Sequence, residues 1–305
     1  MKEETLKKPA VIVLLALTSC LLWGSAYPSV KIGYELFSVT GAGSQLVFAG
    51  CRFSLAGFQL LLLTAFAEKR MPVPKKEALP SVLALSMVQT VIQYLFFYIG
   101  MAHADGITGA IISATSVFFA IIFAYLLVRE KITPRKVAGC IIGFSGILVM
   151  NLAGGTVGSG FRLNGEGFLL VASASYALSS VMVKSVAKKD SPVLISGFQF
   201  FVGGLILLAA GLIMGGRLHG FSPAACGLLY YMSLLSAVAY SLWTLLLKYN
   251  PVGKITVFSF TTPIFGSVLS SVFLGEKLFT WYNGAALVLV CAGIIAVNKK
   301  GGETP

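Results

Sequence analysis

Ten long apolar runs follow one another along the chain, each closed by a short polar or glycine- and proline-containing stretch. They cover approximately residues 11–33, 45–67, 80–101, 107–128, 134–152, 165–187, 192–215, 224–247, 254–275 and 280–298. Runs of about 17–25 mostly apolar residues have the length of a helix that crosses a bilayer. The strands of a membrane barrel would instead alternate polar and apolar over about 10 residues, and that pattern is absent. The breaks between runs are clear: EKRMPVPKKEALP separates the second from the third, AGGTVGSGFRLNGEG the fifth from the sixth, and KKDSP the sixth from the seventh. The pattern predicts an all-α polytopic membrane protein with ten transmembrane helices.

Charge supplies the orientation. Only 11% of the residues are charged, against about 25% in soluble proteins. With the N-terminus in the cytoplasm, 18 Lys and Arg fall on inner segments and 4 on outer ones (Lys31, Arg162, Arg217 and Lys277). Arg52 alone lies inside a span. Such a bias places both termini on the cytoplasmic side, here of a bacterial cytoplasmic membrane, with lipid around the helices. It also accounts for the net charge of +12 without nucleic acid, because the basic residues sit in short clusters between spans. LTSC at 17–20 has the look of a lipoprotein cleavage box, but cutting there would remove half of a span that has a partner deep in the chain. The five cysteines are scattered through apolar runs, so they read as buried small hydrophobes and not as disulfides or metal ligands.

That partner belongs to a duplication. A shift of 153 lays CLLWGSAYPSVK (20–31) on SASYALSSVMVK (173–184), with Trp23 on Tyr176. A shift of 147 lays AGCRFSLAGF (49–58) on SGFQFFVGGL (196–205), with Arg52 on Gln199, and GILVMN (146–151) on GIIAVN (293–298). A shift of 146 pairs Tyr94 with Tyr240, Phe97 with Trp243, Thr115 with Thr261 and Glu130 with Glu276. The chain therefore divides into a tail (1–10), a first five-helix repeat (11–152), an external linker (153–164), a second repeat (165–298) and a tail (299–305). Five is odd, so the second half enters the membrane from the opposite side. Two inverted-topology five-helix repeats are an architecture of secondary transporters, whose substrate path lies between the halves near the midplane. LLVREKITPR (126–135) and VFLGEKLFTW (272–281) become equivalent corners on opposite sides, and Glu130 and Glu276 are expected to play structural parts there.

At these residues the sequence resembles the drug/metabolite transporter superfamily, of the EamA type. WGSAYPSVK in the first span, RF at 52–53, TTPIFGSVLSSVFLGEKL (261–278) and GAALVLVCAGIIAVN (284–298) carry the resemblance, which covers about residues 10–298. It implies ten helices, inverted repeats, cytoplasmic termini and transport of metabolites such as amino acids. The first half departs from the pattern, with Val117 at the position of Pro263 and Arg129 at that of Gly275, which predicts halves of unequal flexibility.

The residues expected along a substrate pathway are Trp23, Ser25, Tyr27, Arg52, Gln89, Gln93, Tyr94, Tyr176, Ser179, Ser180, Gln199, Tyr240, Trp243 and Thr262. Polar faces on apolar helices turn away from lipid, either to line a path or to hydrogen-bond neighbouring helices. Gln89 and Gln93 are four apart and would share one helix face. A central arginine costs at least about 2.5–3.5 kcal/mol to insert. Arg52 is thus either a counter-ion for a substrate carboxylate or phosphate, or a fastener that bonds carbonyls across the two halves. Pro28 and Pro263, inside apolar runs, are hinge candidates or fixed kinks. GCIIG (139–143), Gly203, Gly204 and Gly211 suit close helix packing, or a homodimer face.

By these boundaries every carboxylate lies at or beyond a span end and both histidines fall in outer turns, so none is buried to carry a proton or attract a cation. Zwitterionic, neutral or anionic solutes therefore fit better than cationic drugs. No cofactor or metal motif, nucleophile box or phosphate loop is present. The sequence thus predicts a small-metabolite secondary transporter and exporter, not an enzyme. A polytopic membrane enzyme, a lipid-handling protein and an uptake permease of the same fold are the alternatives.

Overall fold

The computed structural model describes residues 3–69, 72–129, 132–154, 161–186, 190–250, 255, 257–278 and 280–298. Glu130, Lys131, residues 155–160 of the linker and several basic residues counted above (Lys2, Arg70, Lys188, Lys189, Lys254, Lys299 and Lys300) lie outside the described residues.

Among the described residues every element is helical. Two helices open the first half, α1 (Pro9–Leu36) and α2 (Gly41–Glu68). Helix α3 runs from Leu79–Leu85 through a π-helical stretch, Ser86–Ile92, into Gln93–His103. Helix α4 consists of Gly106–Ser113 and Ser116–Val128, and α5 is Pro134–Gly154. The second half holds α6 (Phe168–Val186), α7 (Pro192–Ile213), α8 (Pro223–Tyr249), α9 (Thr261–Leu274) and α10 (Trp281–Asn298). Seven apolar stretches, in α1–α4, α6, α7 and α8, are long enough to cross a membrane, and α9 and α10 supply shorter apolar ones. Proline stands in the first turn of α1, α7 and α8, where its missing N–H costs nothing.

The two halves pack with a pattern that survives their exchange. Helix α2 lies along α7, and α5 along α10. Helix α1 packs on α8 and α9, while α6 packs on α3 and α4. The correspondence reaches single residues. A Cβ on Gly50 would strike the Leu208 backbone, and one on Gly197, 147 positions on, would meet Leu60 and Leu61. Gly57 faces the Phe201 backbone nitrogen, and Gly204 faces that of Ser54. These contacts descend along α7 as they ascend along α2, so the paired helices are antiparallel. Gly146 against Ala286 and Gly293 against Gly139 repeat the arrangement between α5 and α10. The small residues expected in close helix packing or a dimer face make close contacts within the chain: GCIIG with α10, Gly204 and Gly211 with α2, and Gly203 with Thr90 of α3.

Two further expectations change. Cys20 is buried, but Cys226 is exposed and the other three are half-buried, all as free thiols. The corner residues Arg129 and Gly275 take the same left-handed conformation, at φ 57 and φ 68, so the non-glycine residue adopts the glycine geometry of its counterpart.

Glu276 has the structural part expected of it. Its carboxylate accepts the backbone N–H of Gly106 at 2.7 Å and that of Ile107 at 2.8 Å, capping α4 from the end of α9. A carboxylate on two helix-terminal N–H groups combines charge-assisted bonding with the helix dipole. Glu276→Gln keeps the shape and loses the charge. It should lower stability by about 1–2 kcal/mol, read as a fall in the melting temperature of the purified protein.

Candidate functional site

A cavity of about 130 Å3 opens between the halves. At about 10–15 Å3 of such space per water, it takes on the order of ten waters or one small metabolite. It is built where both fourth helices break. In α4 the turn at Ala114 and Thr115 is wound tighter, with Thr115 N–H on Ile112 O at 2.9 Å and Phe118 N–H on Thr115 O at 2.9 Å. In the second half a 3-10 turn, Val257–Phe260, precedes α9. The repeat-related threonines sit at both breaks. Thr115 Oγ1 donates to Ile112 O at 2.6 Å, and Thr261 Oγ1 donates to Phe258 O at 2.7 Å. A threonine hydroxyl competing for a backbone carbonyl favours such a break.

Pro263 is consequently not a mid-helix kink. It falls in the first turn of α9, where no intrahelical N–H is needed. The matching break in α4 has Val117 and no proline, so the break forms in both halves with or without the proline. Pro28 is interior to α1 and buried, and does not line the cavity.

Of the residues expected along the pathway, Trp23, Tyr27, Arg52, Gln93, Tyr94, Tyr176, Tyr240, Trp243 and Thr262 line this cavity, joined by Pro263. Five do not line it. Ser25 turns outward to Tyr231 Oη at 2.6 Å. Ser179 and Ser180 each donate to Tyr176 O. Gln199 donates through Nε2 to Gln89 Oε1 at 2.7 Å, so those two amides serve each other in the α3–α7 contact. Gln89 and Gln93 were expected on one face, but π-helical winding at Ser86–Ile92 rotates Gln89 onto α7 while Gln93 reaches the cavity.

Sequence reasoning had not selected Phe97, Ser113, Ser116, Val117, Ser173 and Ser259, which also line the cavity. The duplication holds the signal for all of them except Ser173. Trp23 and Tyr176, Tyr94 and Tyr240, Phe97 and Trp243, Ser113 and Ser259, Ser116 and Thr262, and Val117 and Pro263 are all repeat-related pairs. At its centre the hydroxyls of Tyr94 and Tyr240 bond each other at 3.0 Å. Trp23 packs edge-on against Tyr240 and Trp243, with ring centroids 5.3 and 5.1 Å away.

Arg52 breaks the symmetry. Helix α2 begins at Gly41, four residues earlier than expected, which puts Arg52 about 16 Å along it and near its middle. Its side chain is 2% exposed. Nε donates to Met232 O at 3.2 Å and Ser236 Oγ at 3.1 Å, and one terminal nitrogen donates to Tyr98 Oη at 3.1 Å. It thus ties α2 to α8 and α3, as Gln199 ties α7 to α3. These partners are all neutral, while the guanidinium has five N–H groups and a permanent charge. The fastener and counter-ion readings are therefore compatible, since these bonds engage two of its three nitrogens and Arg52 also lines the cavity.

Beside the cavity α1, α4 and α9 pack closely: Gly24 of α1 lies against the Phe265 and Gly266 backbone, Gly266 against Ala110 and Tyr27, and Glu276 clamps α4. Among the described residues no group of three His, Cys, Asp or Glu side chains is placed to hold a metal ion.

Residues 10–152 and 163–299 each match one family model, that of the EamA-like transporter family. A WAT1-related chloroplastic protein of Arabidopsis thaliana is 29% identical over 297 residues, which cover 92% of this chain and 68% of the relative. The uncharacterized transporter YvbV of Bacillus subtilis is 26% identical over 97% of this chain and 94% of its own. A probable terminal-alkyne amino-acid exporter of Streptantibioticus cattleyicolor is 23% identical over 91% and 90%. A solved crystal structure aligns with 94% of this chain and 97% of its own at a TM-score of 0.69 and 15% identity, a likeness of fold. The names of the family, of YvbV and of the Streptantibioticus cattleyicolor relative are those of transporters, and with its spanning helices the chain is an integral membrane protein.

Proposed function

The chain belongs to the EamA-like transporter family, and we propose that it is a secondary carrier that exports a small carboxylate-bearing metabolite, an amino acid or related solute. The observation that carries this reading is the buried Arg52, set in a cavity between the halves with only neutral hydrogen-bond partners. A buried cation without a counter-charge is costly, and an anionic group offsets that cost. Aromatic rings around the same space suit an apolar body.

The carrier is read as ten spanning helices in two inverted repeats, in a bacterial cytoplasmic membrane with both termini cytoplasmic. Two matches to one family model, antiparallel packing of α2 with α7 and contacts that survive exchange of the halves support it. In this reading the close packing of α1, α4 and α9 at Gly266 and Glu276 serves as a closure that alternates with closure at the opposite end. The direction, export, leans on one distant relative, which is named as a probable exporter.

The test is flux from proteoliposomes containing only this protein and loaded with a mixture of amino acids and small carboxylic acids. Protein-dependent exit of a carboxylate-bearing solute is expected. Exit of none of them, with intact vesicles and folded protein, would overturn the reading.

A further inference from the structure

We infer that Glu276 is the latch that sets the state of the carrier: it holds the start of α4 against the end of α9 in this structure, and when it lets go the opening turn of α9 closes on Ala120 and Ala124 of α4. The inference rests on the carrier reading above. In a carrier built from two related halves, one state becomes the other when the halves exchange roles. A contact whose repeat-related copy is also made therefore survives the exchange. A contact whose copy is missing belongs to one state and has to part.

The bonds at the breaks of α4 and α9 are of the first kind. At one break Ile112 O accepts from Thr115 Oγ1 and, across from α6, from Ser173 Oγ at 3.3 Å, a hydroxyl that also reaches Leu169 O at 2.8 Å. At the other Phe258 O accepts from Thr261 Oγ1 and, across from α1, from Cys20 Sγ at 3.4 Å. Ile112 and Phe258 are 146 positions apart and Cys20 and Ser173 are 153 apart, which are the shifts of the duplication. Each fourth helix is thus tied at its break to the first helix of the other half. Helices α1 and α9 move as one unit, and α6 and α4 as another.

The contact between those units is of the second kind. The first half of α4, Gly106–Ser113, packs on both α9 and α1. Gly266 and Ser270 of α9 are buried in that contact, one against Ala110 and the other against Gly106, and Glu276 accepts the N–H groups of Gly106 and Ile107 beside them. The copy of this contact would set the 3-10 turn Val257–Phe260 on Ser116–Val128 and on α6. Among the described residues neither pairing is substantial. Ala120 and Ala124, the copies of Gly266 and Ser270 at a shift of 146, are also small but only half-buried. A face shaped for close approach is therefore left partly open where the opposite closure falls. Glu130 and Gly253, the copies of Glu276 and Gly106, lie outside the described residues. The Glu276 carboxylate is the directional part of the closure, a charge on two helix-terminal N–H groups. The rest is contact between small residues, which an interface with two arrangements can make at either end.

The experiment measures distances between pairs of spin labels on the full chain in lipid bilayers, with the native cysteines changed to serine (Cys20→Ser keeps its donor). Labels at the exposed positions Asp105 and Phe273 report the Glu276 end of α4 and α9, and labels at the exposed positions Ala10 and Leu127 report the opposite ends of α1 and α4. Without further change the Glu276 end should be mostly short. Glu276→Gln should raise the ratio of long to short distances there by at least about tenfold, while the distance between Ala10 and Leu127 shortens. Gly106→Ala, whose Cβ would stand 2.5 Å from Ser270 Oγ, pries the same contact apart. It should act in the same way, and it decides the matter if Glu276→Gln does not fold. A carboxylate that only caps α4 would leave both distances unchanged, and a loosened fold would lengthen both. Either result, or lengthening at the Glu276 end alone, would show the inference to be wrong, and the carrier reading would stand on wild-type flux. If wild type carries no solute, both fall.

Discussion

Arg52→Gln should leave the protein folded and raise KM for its best carboxylate-bearing solute by about a hundredfold. Each hydrogen bond to a charged group contributes about 1.5–3 kcal/mol, and a carboxylate on the free edge of a guanidinium makes up to two. A factor of ten corresponds to about 1.4 kcal/mol. Glutamine still offers an amide donor toward Met232 O and Ser236, which are 3.2 and 3.1 Å from Nε, and the second half uses glutamine at the equivalent position 199. Arg52→Ala should do more damage. It removes the tie of α2 to both α8 and α3, so the melting temperature should fall as well. The two variants separate fastening from recognition. An unchanged KM in folded Arg52→Gln would show that the guanidinium only fastens.

Gly57→Leu and Gly204→Leu should each prevent the halves from assembling. In both cases the new Cβ would lie on the facing backbone, Phe201 N in one and Ser54 N in the other. Overpacking usually costs about 1–3 kcal/mol because side chains can move aside. Here the neighbour is main chain, and α2 and α7 would have to part along their length, so the loss should exceed about 3 kcal/mol. Size-exclusion chromatography in detergent should show aggregate in place of a single peak. Gly227→Ala and Gly284→Ala are the controls, since neither Cβ meets an atom within 4 Å. If Gly57→Leu gave a well-behaved protein, the close α2–α7 packing would not exist in solution. Equal outcomes at Gly57 and Gly204 would follow from their equivalence in the repeat.

The apolar runs were legible because lipid requires them, and the helices begin and end within a few residues of the expected limits at most positions. The largest exception is the ninth span, expected from residue 254, where α9 starts at Thr261 after a 3-10 turn. Hydropathy is blind to that break, since the residues on both sides are apolar, and the threonine that favours it works through a hydrogen bond. Gln89 and Gln93 show the same limit at a smaller scale. Their spacing implies a shared face in an α-helix, and only the actual winding of α3 separates a packing amide from a cavity amide.

What the chain determined by itself is what depends on composition along one dimension: an integral membrane protein, its helical class, the duplication and the list of residues too polar to face lipid. Those properties are local, because each span must satisfy the bilayer on its own. Tertiary structure alone decided which polar residues face one another across 110 positions, as Gln89 and Gln199 do, and which remain open. It also decided that glycine faces were spent between the halves and that Arg52 meets only neutral partners. These depend on how helices distant in sequence are rotated against one another. Hydrophobic patterning inside a bilayer sets that rotation only weakly, and close backbone packing sets it firmly.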